Sequence, residues 1–129
     1  MSHFSTIKTK IKDKEILVQT LELLGYDPLE EQELKVAGSH AKDHPTVQAQ
    51  IAIGTDIGFR WNDVSQSYEL VTDLQTWDEP VPVERFLQKL SQQYARWTIH
   101  EAVKEDGFQV VEEWEMEDNS IELTVTRWV

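Results

Sequence analysis

Two helical stripes set among short alternating runs decide what this chain can fold into. Leu17, Leu21 and Leu24 recur at helical spacing, and Ile16 and Leu23 widen the stripe, so one side of this helix is apolar. Asp13 stands at the N-cap position and Gly25 at the stop, the residue types that favour each end. Leu87, Leu90, Tyr94 and Trp97 mark a second stripe. Pro82 suits the first position of that helix, which reaches about Glu105 before Gly107 ends it.

Elsewhere the apolar residues alternate with polar ones, the period of half-buried strands. Residues 3–11 read as a strand, as do Val47 to Ile53, Ile57 to Trp61, and the run holding Tyr68, Leu70, Thr72 and Leu74. The acidic Asp27 to Glu33 opens with Asp-Pro and reads as connection, with a short strand from Leu34 to Ala37 and a loop from Gly38 to Pro45. The C-terminal residues form a hairpin turning at Asp118 to Ser120. In this reading Phe108, Val110, Trp114 and Met116 share one face, and Ile121, Leu123 and Val125 share another. The order is β-α-β-β-β-β-α-β-β. It predicts a single α+β domain over residues 1–129, a mainly antiparallel sheet of six to seven strands with both helices on one face.

Alternation implies that the other sheet face is wet. By parity it presents Gln48, Gln50, Arg60, Glu69, Asp73, Glu113, Glu115, Glu117, Glu122 and Thr124, with Val71, Val111 and Trp128 as an apolar island among the acids. The formal net charge is −12, and it is lopsided. Residues 1–55 carry six basic against eight acidic side chains, and residues 56–129 six against sixteen. Such a surface repels phosphate backbones and anionic head groups, which argues against nucleic acid as a partner. Lys8, Lys10, Lys12 and Lys14 cluster early and read as a charged, solvated strand edge.

Without cysteine there is no thiolate metal site, disulfide or cysteine nucleophile. No run approaches the ~18 apolar residues of a membrane span, and the first fourteen residues lack a secretory apolar core. Both features predict a cytoplasmic protein with no membrane insertion.

The motifs of chemistry are sparse. His40 and His44 lie four apart beside Asp43, a metal-binding spacing on a helix, but Gly38 and Pro45 place them in a loop. His3 and His100 stand alone and read as structural. Neither a phosphate-cradling glycine loop nor a GxSxG elbow is present, so no cofactor and no catalytic residue is indicated. Of five tryptophans, Trp61, Trp97 and Trp114 fall on apolar faces and read as core. Trp77 and Trp128 fall where cover is less certain, and such residues often anchor interfaces.

The opening MSHFSTIKTKIKDKEILVQTLELLGY, the central DIGFRWN with YELVTDLQTW, and the helix VERFLQKLSQQYARWTI resemble the hypothetical chloroplast reading frame thirty-five family. This is a domain of unknown function in cyanobacteria and algal plastid genomes, and the resemblance runs end to end. It implies a setting in photosynthetic cells, the plastid stroma in plastid-encoded relatives, and carries over no catalytic residue. Some relatives lie near genes for a small ferredoxin-like protein, so the resemblance admits a redox partner. Ferredoxins are themselves acidic, and only the lysine-bearing first strand would receive one.

The leading expectation is a non-enzymatic accessory or assembly factor that binds another protein through Trp77, Trp128, Val71 and Val111, or through the sheet edge. The alternatives are a small-ligand binder or enzyme with a pocket between sheet and helices, and a metal module at His40 and His44. A free edge or apolar island serves a homo-oligomer equally well.

Overall fold

The computed structural model of the chain describes residues 4–35, 46–54, 56–75, 77–118 and 120–127. The element order is β1 (Ser5–Lys8), α1 (Lys14–Leu23), β2 (Leu29–Lys35), β3 (Thr46–Ala52), β4 (Ile57–Asn62), β5 (Ser67–Thr72), α2 (Val83–Glu105), β6 (Phe108–Glu115) and β7 (Ile121–Arg127). The expected α+β order is therefore present. Its strands divide between a five-stranded sheet, β1-β5-β4-β3-β2, and a separate hairpin, β6-β7, antiparallel throughout.

Asp13 caps α1, its Oδ1 accepting from the Ile16 N–H at 3.1 Å, and Gly25 ends the helical segment with φ +96°, a conformation that costs glycine little. Leu17 and Leu21 of α1 meet Phe86 and Leu90 of α2 over Ile51, Phe59, Tyr68 and Leu70 of the sheet. The Tyr94 hydroxyl accepts from the backbone N–H groups of Lys12 and Asp13 at 3.1 and 2.9 Å. That contact ties the middle of α2 to the entry of α1.

Residues 29–33, expected as connection, belong to β2. The stretch is acidic because β2 is an edge strand, which needs only one partner and is protected by charge on its free side. Pairing with β3 from Leu29↔Ala52 to Lys35↔Thr46 overrides the weak strand propensity of Glu and Gln.

The face turned from the helices is not open. β3 pairs with β4 only at Ile51↔Phe59 and Ala52↔Gly58; its first half then leaves β4. Where it leaves, the Gln50 side chain replaces the ladder and accepts from the Trp61 N–H at 2.9 Å. Glu31, at a left-handed φ of 52°, kinks β2 in the same region. The β2–β3 ribbon thus curls across the second face, where Leu34, Ala49, Ala52 and Val71 form a second buried cluster flanked by Phe4 and Val47. Gly58 is the point of closest approach: a Cβ there would stand 2.7 Å from Leu34 Cδ1 and 2.8 Å from Ala49 Cβ.

Two expectations about this face change. Val71 is 1% exposed and belongs to this second core, not to an apolar island. Glu69 and Asp73 are also buried. Glu69 is held by the Arg60 guanidinium at 3.1 Å and by the Asn62 amide. Those donors keep its carboxyl below the usual range, Asn62 first and Arg60 and Lys8 with it, despite the opposing effect of burial.

Candidate functional site

The first half of α2 buries Val83, Phe86 and Leu90 on the sheet, but no residue from Ser91 to Glu105 is fully buried. This outer half carries the β6-β7 hairpin. A two-stranded hairpin is marginal alone in water, so its attachment to α2 decides whether it has a fixed shape.

The attachment turns on a β-bulge between Val110 and Glu112. One extra residue reverses which side chains face inward beyond it. Phe108 and Val110 lie on the face shared by Val125, Leu123 and Ile121, but after the bulge Glu113 and Glu115 occupy that face. Arg96 of α2 grips Glu113 through two of its nitrogens, Nη2 to Oε2 at 2.9 Å and Nε to Oε1. His100 Nε2 lies 3.4 Å from the same carboxylate, and Gln92 donates to Glu115 at 3.2 Å. Burial pushes the Glu113 carboxyl up, but the hydrogen bond and charge of Arg96, with those of His100, outweigh it and hold the carboxyl below its ordinary range. The Arg96 guanidinium also lies 4.7 Å from the Trp97 ring centroid, and that ring is 5.0 Å from His100.

The same bulge turns Trp114 outward. It pairs with Glu122 on the solvent face, beside Glu112↔Thr124, and 47% of it is exposed. Val111, the bulged residue, and Met116 are exposed as well. Glu112 and Glu122 lie on the same face as Trp114, both exposed. The expectation of Trp114 and Met116 as core mates of Phe108 and Val110 is corrected by this one inserted residue. Glu113 and Glu115, expected on a wet face, point to α2.

The residues singled out from sequence fare differently. Trp77 packs edge-on to Phe86 at 5.5 Å, and its indole N–H donates to the Val81 carbonyl at 2.7 Å; its ring and its donor are thus both engaged within the chain. Val111 is exposed on the hairpin, and Val71 is internal. His40, His44 and Trp128 lie outside the described residues. Among the described residues no group of three or more His, Asp or Glu side chains is placed to hold a metal ion. Straight alternation through β6 turns Trp114 and Met116 inward, so periodicity alone does not find them. The Val110-Val111 pair, two apolar residues in succession, was the available sign of a bulge.

A second concave feature lies beside β1. Lys8 to Ile11 and the Ser91–Ile99 stretch of α2 bound an open groove of about 620 Å³. Near the far end of β5, burial raises the Asp56 carboxyl, and the negative charges of Asp73 and Asp78 push it the same way.

Residues 20–124 match the model of a family described as a protein of unknown function, DUF1257. The chain belongs to this family. Among its relatives, an uncharacterized protein ycf35 of Guillardia theta is 43% identical over 132 residues, covering 99% of this chain and 98% of that one. The protein of the same description from Pyropia yezoensis is 40% identical over 134 residues, with 99% and 98% covered. The one from Cyanophora paradoxa is 35% identical over 130 residues, with the same coverage. This is the reading-frame family whose likeness the sequence carries. The DUF1257 match takes in α2 and nearly all of the hairpin, including Arg96, Glu113 and Trp114. No solved structure matches the chain. No helix among the described residues is long and apolar enough to cross a membrane.

Proposed function

We propose that this DUF1257 chain is a non-enzymatic binding protein that docks another protein on the outer face of its β6-β7 hairpin, in a plastid stroma or a cyanobacterial cytoplasm. The observation that carries this reading is the exposure of Trp114, with Val111 and Met116 beside it, on a hairpin anchored from behind. A large aromatic residue at such a place costs solubility and adds nothing to the core, whereas rigid aromatic area is what protein interfaces use. Glu112 and Glu122 beside it call for a partner with an apolar centre and a basic rim.

Site-specific photo-crosslinking tests the location. A photoreactive residue in place of Thr124, on the outer face, is expected to give a discrete cross-linked product in cells. The same group at Val64, a turn residue 96% exposed on the five-stranded sheet, is expected to give none. Equal labelling from both positions, or none from Thr124, removes the hairpin as the docking face.

A further inference from the structure

The groove beside β1 differs from the hairpin in every respect that decides a partner. It is lined by Lys8 and Lys10 on one side and by Tyr94, Ala95, Thr98 and Ile99 of α2 on the other. Among the described residues no carboxylate lines it, in a chain whose net charge is −12. Ile99 is 42% exposed there. The groove also adjoins an open sheet edge. β1 pairs with β5 from Ser5↔Thr72 to Lys8↔Glu69 and is the end strand of its sheet. Among the described residues nothing pairs its other side, so backbone donors and acceptors are available there.

We propose that this groove receives an extended acidic segment of another protein, which adds a strand to the free edge of β1. Its alternate apolar side chains would lie against Ala95 and Ile99, and its carboxylates against Lys8 and Lys10. Strand addition takes affinity from main-chain hydrogen bonds and specificity from alternate side chains, and lysines two residues apart match acids two residues apart. A second copy of this chain fits poorly by its own β1, because an antiparallel β1–β1 pair sets like charges together. A long-chain carboxylate fits poorly because it would use neither the free backbone edge nor the second lysine. The inference is independent of the hairpin reading.

The test is fluorescence anisotropy on the full chain with three labelled probes. The first is a ten-residue peptide alternating glutamate and valine, the second the same peptide with lysine for glutamate, and the third the glutamate peptide N-methylated on alternate residues. Dodecanoate is titrated separately into the chain by calorimetry. The glutamate peptide is expected to bind, and the other two at least about tenfold more weakly. Ile99→Glu and the pair Lys8→Gln, Lys10→Gln, all at exposed positions, are each expected to weaken it about tenfold, with circular dichroism unchanged. Trp114→Ser is expected to leave it unaltered, which separates this site from the hairpin. Equal binding of all three peptides, binding of none, or indifference to Ile99→Glu overturns the proposal. Dodecanoate binding by titration calorimetry that Ile99→Glu abolishes, with no peptide binding, assigns the groove to an amphiphile and overturns it too.

Discussion

Arg96 and Glu113 join the second helix to the C-terminal hairpin at two points, Nη2 to Oε2 at 2.9 Å and Nε to Oε1. The pair is mostly shielded from water, so removing one partner strands the other's charge. Arg96→Ala is expected to loosen the hairpin and leave the five-stranded sheet intact. Hydrogen exchange should accelerate over residues 108–127 by a factor matching a loss of roughly 1–3 kcal/mol, with little change in β4 and β5.

The pH dependence of the hairpin follows from the same pair. The folded Glu113 carboxyl titrates below its unfolded value, so its contribution is fully present above the unfolded pKa of about 4.3. It is lost as pH falls through the lower folded value. Acidification below roughly pH 4 should therefore increase exchange in the hairpin. Glu113→Gln should remove most of that dependence.

Asp56 has the opposite sign. Its folded carboxyl titrates above the ordinary range, through burial and then the charges of Asp73 and Asp78. A raised carboxyl contributes stability at low pH that is lost as pH rises through the folded value. Asp56→Asn should raise the Tm at pH 7 and make no difference near pH 3, as thermal scans across that range would show.

Gly58 sets the closeness of the β2–β3 ribbon to the sheet. A methyl group there meets Leu34 Cδ1 at 2.7 Å, Ala49 Cβ at 2.8 Å and the Ile51 carbonyl oxygen at 3.2 Å. Gly58→Ala should cost about 1–3 kcal/mol, the usual range for overpacking. Denaturant unfolding of Gly58→Ala, Leu34→Ala and the double variant should show that the two effects are not additive.

The two helices, the cap of the first and the element order were legible in the sequence because each rests on local signals: Asp13, Gly25, Gly107 and two apolar stripes. Pro82, expected as the first residue of the second helix, is its N-cap instead. What was not legible depends on contacts between distant segments. β2 forms from an acidic stretch because β3 lies beside it. Val71 is covered because that ribbon curls over Gly58, and no periodicity within β5 announces it. Trp114 faces water because one bulged residue reverses parity in β6, so a count that was right at Val110 was inverted four residues later.

The most direct test of the hairpin as a docking face is the affinity of a captured partner for the intact chain and for Trp114→Ser. The partner is first identified by cross-linking from Thr124, then purified and titrated at two salt concentrations. Loss of a central aromatic anchor should weaken binding about thirtyfold or more, and raised salt should weaken the wild-type complex because of Glu112 and Glu122 at its rim. A partner that binds Trp114→Ser as tightly as the intact chain would contradict the account.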